Sequence, residues 1–125
     1  VVAIFMVNPL FGTRVLHRAY TREGRDKTHD GLDVGLFTQS SANNRDVVAL
    51  MANEMPCSEY AVAQSEIGLW YIEKGVTFGC RVSVPPEQGR FVGQITVGWA
   101  KEPTDLNKAQ SMLQIASTML SKSKQ

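Results

Sequence analysis

Cysteine is scarce in this chain, with two residues in 125, which excludes a disulfide-dense scaffold and a four-cysteine zinc site. An excess of one charge is also lacking. Thirteen Lys plus Arg stand against 12 Asp plus Glu, a formal net charge of +1, so no global basic field points to nucleic acid and none is expected as a partner. No apolar run approaches the roughly 20 residues that cross a bilayer; the longest is Val1–Val7. The Walker loop, Gly-x-Gly-x-x-Gly, His-Glu-x-x-His and Cys-x-x-Cys are all missing. His17 and His29 stand in a polar stretch with no carboxylate or thiol at ligand spacing. Asp26, Asp30 and Asp33 lack the Gly and Glu positions of a calcium hand. Cys57 follows Pro56 with no nearby base to activate it. No metal, no cofactor and no enzymatic activity are therefore expected. The first residue is Val rather than Met, which raises the expectation of a segment upstream.

What is present is ordinary for a globular domain: 43% hydrophobic, 20% charged and 8% aromatic residues. Asn8-Pro9 has the form of a helix start, with Asn as N-cap and Pro at the first helical position. A helix from there puts Phe11, Val15 and Ala19 on one stripe and Arg14, Arg18, Arg22 and Arg25 on another. Thr28-His29-Asp30-Gly31 reads as a break, and Gly31–Asn44 as a loop rich in Gly, Ser and Asn. The expected division is a helical segment over 1–28 and an α+β domain over 29–125.

A second helix is expected from Asn44 to Pro56, with Val47, Val48, Met51, Ala52 and Met55 as its apolar stripe. Tyr60–Ala63 is a possible strand and Leu69–Ile72 a further one. Val76, Phe78, Cys80, Val82 and Val84 alternate with Thr77, Gly79, Arg81 and Ser83, the pattern of a half-buried strand. After the turn Pro85–Gly89, Phe91, Gly93, Ile95, Val97 and Trp99 alternate with Val92, Gln94, Thr96 and Gly98, giving its hairpin partner. The scattered glycines of this region serve turns and close packing. Thr104 or Asp105 caps a last helix in which Leu106, Ala109, Leu113, Ala116 and Leu120 recur at helical spacing. Lys122 and Lys124 sit where the helix dipole favours cations. The order implies an α+β fold, an antiparallel meander sheet flanked by helices.

The run Val76–Val82, the turn, the strand Phe91–Trp99 and the closing helix resemble the end of the holins of T-even phages. The matching positions are Cys80, Gly93, Ile95, Thr96 and Trp99, within residues 76–121. The same succession is similar to a GAF-like sensory domain. The holin resemblance implies a regulator of inner-membrane hole formation and host lysis. It would self-associate, and its periplasmic globular domain would bind an antiholin protein. Val1–Val7 would then be the end of a membrane span, and the segment after it would contact membrane or partner through Arg14, Arg18, Arg22 and Arg25. The plainer reading of those arginines is a solvated helix face with Glu23 and Asp26 as counter-charges. The alternative function is a GAF-like sensory or interaction module that binds a small molecule or a protein, in the cytoplasm as readily as elsewhere. Trp70, Tyr71, Phe91 and Trp99 would wall its pocket or simply fill its core.

The two thiols, Cys57 and Cys80, are the disulfide candidate. In a reducing compartment Cys80 is a small core residue; in an oxidising one a bridge closes a loop of roughly 24 residues, worth about 3 kcal/mol in the chain-entropy model. The holins carry their second Cys in the terminal helix, where this chain has Met112 and Leu113. The pairing therefore stays open on sequence alone.

Overall fold

The structure is a computed structural model and describes residues 1–61, 63 and 65–123. Its first 26 residues are strands rather than helix: β1 (Val2–Asn8), β2 (Thr13–Thr21) and β3 (Gly24–Asp26). Val, Ile and Phe dominate β1, and Pro9 and Gly12, the latter at φ +63°, turn the chain back into β2. A bulge explains why β2 resembles a helix in sequence. Ile4 pairs with Arg18 but Phe5 with Leu16, so His17 is the extra residue. The buried positions become Arg14, Leu16 and Ala19, and the step of three from Leu16 to Ala19 breaks the strand period.

The remaining elements are β4 (Asp33–Gly35), α1 (Ser41–Met51), β5 (Cys57–Glu59), α2 (Glu66–Glu73), β6 (Phe78–Val84), β7 (Gly93–Trp99) and α3 (Leu106–Ser123). The segment read as a loop thus holds a short strand, and α1 starts at Ser41, three residues earlier than expected, with Ser40 as N-cap. Its inward residues are Asp46, Val47 and Leu50, while Val48 and Met51 face outward. Leu69–Ile72 is helix, not strand. Ser65 caps α2, its Oγ accepting from the Gly68 N–H at 3.2 Å. At the other end Gly75 N–H donates to Ile72 O and Val76 N–H to Tyr71 O, a Schellman closure with Gly75 at φ +82°. Of the possible strand over 60–63, Val62 lies outside the described residues, and Tyr60, Ala61 and Ala63 are not strand. Asp105 is the residue that caps α3, its Oδ1 accepting from Lys108 N–H. Lys122 lies in the last turn of α3, and Lys124 lies outside the described residues.

The strands form one antiparallel sheet in the order β3-β2-β1-β7-β6-β5, with β4 pairing the other half of β2's edge. β1 is a central strand between β2 and β7, with Ala3 and Phe5 buried. Val1–Val7 is therefore part of this domain's own sheet rather than a segment that docks elsewhere, and 1–28 is not a separate helical unit. Among the described residues no helix is long and apolar enough to cross a membrane.

Both faces of the sheet are covered. On one, α3 packs Leu113 against Phe78, Cys80, Val82, Val84 and Ile95. On the other, Ile67, Trp70 and Tyr71 of α2 pack on Ala3, Phe5, Leu16 and Ala19, and α1 lies against β6. The aromatic residues are divided between these layers: Trp70 and Tyr71 belong to the α2 side, Trp99 to the α3 side, where its ring is tilted 38° to that of Phe78 with centres 6.3 Å apart.

Cys57 and Cys80 are direct cross-strand partners of β5 and β6, 4.1 Å apart at Cα, with their sulfurs bonded. Arg81 N–H donates to Pro56 O and Tyr60 N–H to Thr77 O. The alternation of an antiparallel ladder therefore places the cysteines at a non-hydrogen-bonded pair, where Cα atoms approach to about 4.5 Å.

Candidate functional site

The covered sheet face under α1 and α2 is polar where the sequence pattern placed solvent. Arg81 and Ser83 of β6 and Gln94 and Thr96 of β7 share that face, as pairs Arg81–Thr96 and Ser83–Gln94. Across β1 the row continues to Phe5 beside Gln94 and Ala3 beside Thr96. Gln94 is 2% exposed, Thr96 5% and Ser83 1%. Burying polar side chains without partners costs free energy, so each must be hydrogen-bonded.

They are. Arg14, only 6% exposed, donates from Nη1 to Gln94 Oε1 at 2.6 Å and from Nη2 to Asn43 Oδ1. Its guanidinium also lies 5.8 Å from the centre of the Phe5 ring. Gln94 Nε2 donates onward to Thr96 Oγ1 at 2.8 Å, and Tyr71 of α2 is hydrogen-bonded to Thr96. Asn43 Nδ2 donates to Leu36 O at 2.8 Å, tying the loop after β4 to the first turn of α1. Arg81 Nη1 is paired with Asp46 Oδ2 of α1. The single Ser83 Oγ–H lies within hydrogen-bonding distance of both the Pro85 and the Arg90 carbonyl, at 3.0 and 2.9 Å, and closes the hairpin turn. Sheet, α1 and α2 thus meet in one buried network.

The network surrounds a cavity of about 30 Å³, lined by Arg14, Asn43, Tyr71, Arg81, Gln94 and Thr96 among others. No Asp or Glu side chain lines it among the described residues. Desolvation by burial, and then the charge of Arg81, lowers the Arg14 pKa to about 10. Arg14 therefore stays protonated at neutral pH, and no carboxylate forms a salt bridge with it among the described residues. Burial pushes the Tyr71 hydroxyl up to about 12, so it is a neutral hydrogen-bonding group.

The four arginines expected on one stripe are not together. Arg14 faces this interior, Arg18 and Arg22 are exposed, and Arg25 pairs with Asp30 at 2.5 Å. The single stripe expected to hold all four is not formed, because strand geometry and the bulge at His17 send Arg14 and Arg18 in different directions. Among the described residues no group of three His, Cys, Asp or Glu is placed to hold a metal ion. On the opposite face, Val2, Ile4, Val97, Met112 and Met119 border an open groove of about 730 Å³ between sheet and α3. It is apolar, and among the described residues no charged side chain lines it to orient a ligand.

No protein-family model matches the chain, and no curated protein matches it by sequence. A solved structure does match by fold. The phycoerythrobilin-bound GAF domain from a cyanobacterial phytochrome aligns with a TM-score of 0.59 over 98% of this chain and 77% of that one, at 11% identity. The fold is GAF-like: among the described residues, an antiparallel sheet of seven strands with three helices, α+β in class.

Proposed function

We propose that this chain is a GAF-like sensory module whose ligand is a small molecule held between the sheet and α1 and α2. The observation that carries the reading is the buried polar face of β6 and β7. A domain that needed only stability would fill this layer with apolar side chains. Here Arg14, Arg81, Gln94 and Thr96 converge on a cavity instead. Ligand sites combine an enclosed space with a few placed polar groups, and this layer supplies both. The similarity to the phytochrome GAF domain, which carries phycoerythrobilin, supports a ligand-binding use of the fold; the cavity itself argues for a much smaller molecule.

The features shared with T-even holins, a Cys-bearing strand, its hairpin partner and a closing helix, are β6, β7 and α3. A GAF-like fold has these elements for its own architecture, and no specific observation favours membrane permeabilisation or an antiholin. The binding module is therefore preferred to the holin.

A screen of small molecules read by amide chemical shifts tests the proposal. Saturable shifts confined to β7, the first turn of α1 and α2 are expected. Binders whose shifts fall only on α3 and the outer sheet face would overturn it.

A further inference from the structure

The charge inside the α1–α2 layer does not balance. Arg14 faces it with a buried guanidinium and Arg81 with a half-buried one, 17% exposed, and Asp46, paired with Arg81, is among the described residues the one buried carboxylate beside them. Arg45 also approaches Asp46, at 3.8 Å, but its own side chain is exposed. Among the described residues Arg14 has two neutral amides, Gln94 and Asn43, as its hydrogen-bonded partners. An arginine presents five N–H donors, and these bonds occupy two of them. Natural interiors pair a buried cation with an anion. The amides orient Arg14 without neutralising it.

We propose that the ligand of this cavity is a small planar oxyanion, a carboxylate or an inorganic ion of the same shape, held by the guanidinium groups of Arg14 and Arg81. The proposal rests on the cavity being the ligand site argued above. Three features of the lining fit it. The neutral side chains there include the hydroxyls of Tyr71, Thr96 and Ser65, and among the described residues no carboxylate lines the cavity, the nearby Asp46 being paired with Arg81. Asn43 in the first turn of α1 and the Ser65 cap of α2 bring the positive ends of both helices to the cavity. A volume of about 30 Å³ admits roughly two water-sized groups, which suits the oxygens of a planar ion and excludes a nucleotide. A planar guanidinium binds such an ion through paired N–H···O bonds, which a spherical halide cannot accept as a pair.

The test titrates the protein with sodium formate, acetate and nitrate at ionic strength held constant with sodium chloride. The side-chain Nε–H resonance of Arg14 and the amides of Gln94 and Thr96 report binding. Saturable shifts of these signals are expected with the oxyanions, and none when chloride alone is varied. Tighter binding of formate and acetate than nitrate would identify an organic acid, and the reverse order an inorganic ion. Arg14→Gln is expected to weaken binding by about tenfold or more. Because that variant also disturbs a buried network, Asn43→Asp is added. It places a carboxylate against Arg14, at the cost of the Asn43 Nδ2–Leu36 O bond, so it should abolish oxyanion binding while the protein stays folded. Unchanged oxyanion binding in folded Asn43→Asp would overturn the proposal. Uncharged ligands that shift the cavity signals while oxyanions do not would overturn the oxyanion and leave the cavity as the ligand site. If ligands of neither kind shift them, both readings fall.

Discussion

Arg14 on β2 and Gln94 on β7 are separated by 80 positions in sequence and by 2.6 Å between Nη1 and Oε1, with β1 lying between their strands. The contact spans β1 over the ring of Phe5, which pairs with Gln94 in the ladder. It ties the two halves of the sheet together on the side that carries the cavity.

That contact makes a quantitative expectation. Hydrogen bonds to a charged group contribute about 1.5–3 kcal/mol, and a partner left buried and unsatisfied adds its own cost. Gln94→Leu should destabilise the fold by about 2 kcal/mol, and so should Arg14→Met. The double variant should lose less than the sum, with a coupling of about 1 kcal/mol or more. Urea denaturation of the four proteins measures it. Strict additivity would show that the pair does not act as a unit.

Gly93 is required by a close approach rather than by a turn. A Cβ there would lie 2.9 Å from the Phe5 carbonyl oxygen, a backbone atom of the neighbouring strand. Gly93→Ala should therefore push β1 and β7 apart and lower stability by about 2 kcal/mol. An alanine variant with an unchanged urea midpoint would contradict this. Gly89, at φ +78° with open space around it, should resist substitution for a conformational reason instead.

The acid limb of stability should depend on Asp26. Hydrogen bonds from Thr28, then from Trp70 Nε1 at 2.9 Å, with Lys74 at 4.0 Å, hold its carboxyl well below the usual carboxylate range. A carboxyl depressed in the folded state contributes stability that is complete above its unfolded pKa. That contribution is lost as pH falls toward the folded value. The stability difference between the wild-type protein and Asp26→Asn should accordingly be constant at neutral pH and shrink below about pH 4. Thermal melts from pH 7 to pH 2 follow it, and parallel curves for the two proteins would refute the role of Asp26.

The cross-strand position of Cys57 and Cys80 predicts ready oxidation. Protein handled in air should have a mass two hydrogens below the reduced formula. Reduction should then lower stability by about 3 kcal/mol, the chain-entropy value for a loop of this length. Two free thiols titrated in the unfolded, unreduced protein would be the contrary result. A Cys80→Ala variant, which keeps a small apolar side chain in the core, separates loss of the bridge from loss of packing.

Sequence alone determined the elements whose pattern is local. The alternation through Val76–Val84 and Phe91–Trp99 and the helical recurrence through Leu106–Leu120 are periodicities within one element, and the elements lie there, the two strands starting two residues later than the pattern, at Phe78 and Gly93. The capping signals of α2, Ser65 at one end and Gly75 at the other, were also in the sequence. They were masked by Leu69-Trp70-Tyr71-Ile72, an apolar run too short to distinguish helix from strand. The N-terminal strands were hidden by the bulge at His17, which converts a period of two into a helix-like step of three. Of the candidate site, Arg14 and Tyr71 stood out in sequence, one as a surface cation and the other as a pocket or core aromatic, but the polar sheet face did not. Alternating Arg81, Ser83, Gln94 and Thr96 reads as a solvated face, since a strand's own pattern records which residues share a side but not what covers it. Only the packing of α1 and α2 over that side made it an interior. Contacts such as that of Arg14 with Gln94 join strands distant in the chain, and only the sheet's strand order brings them together.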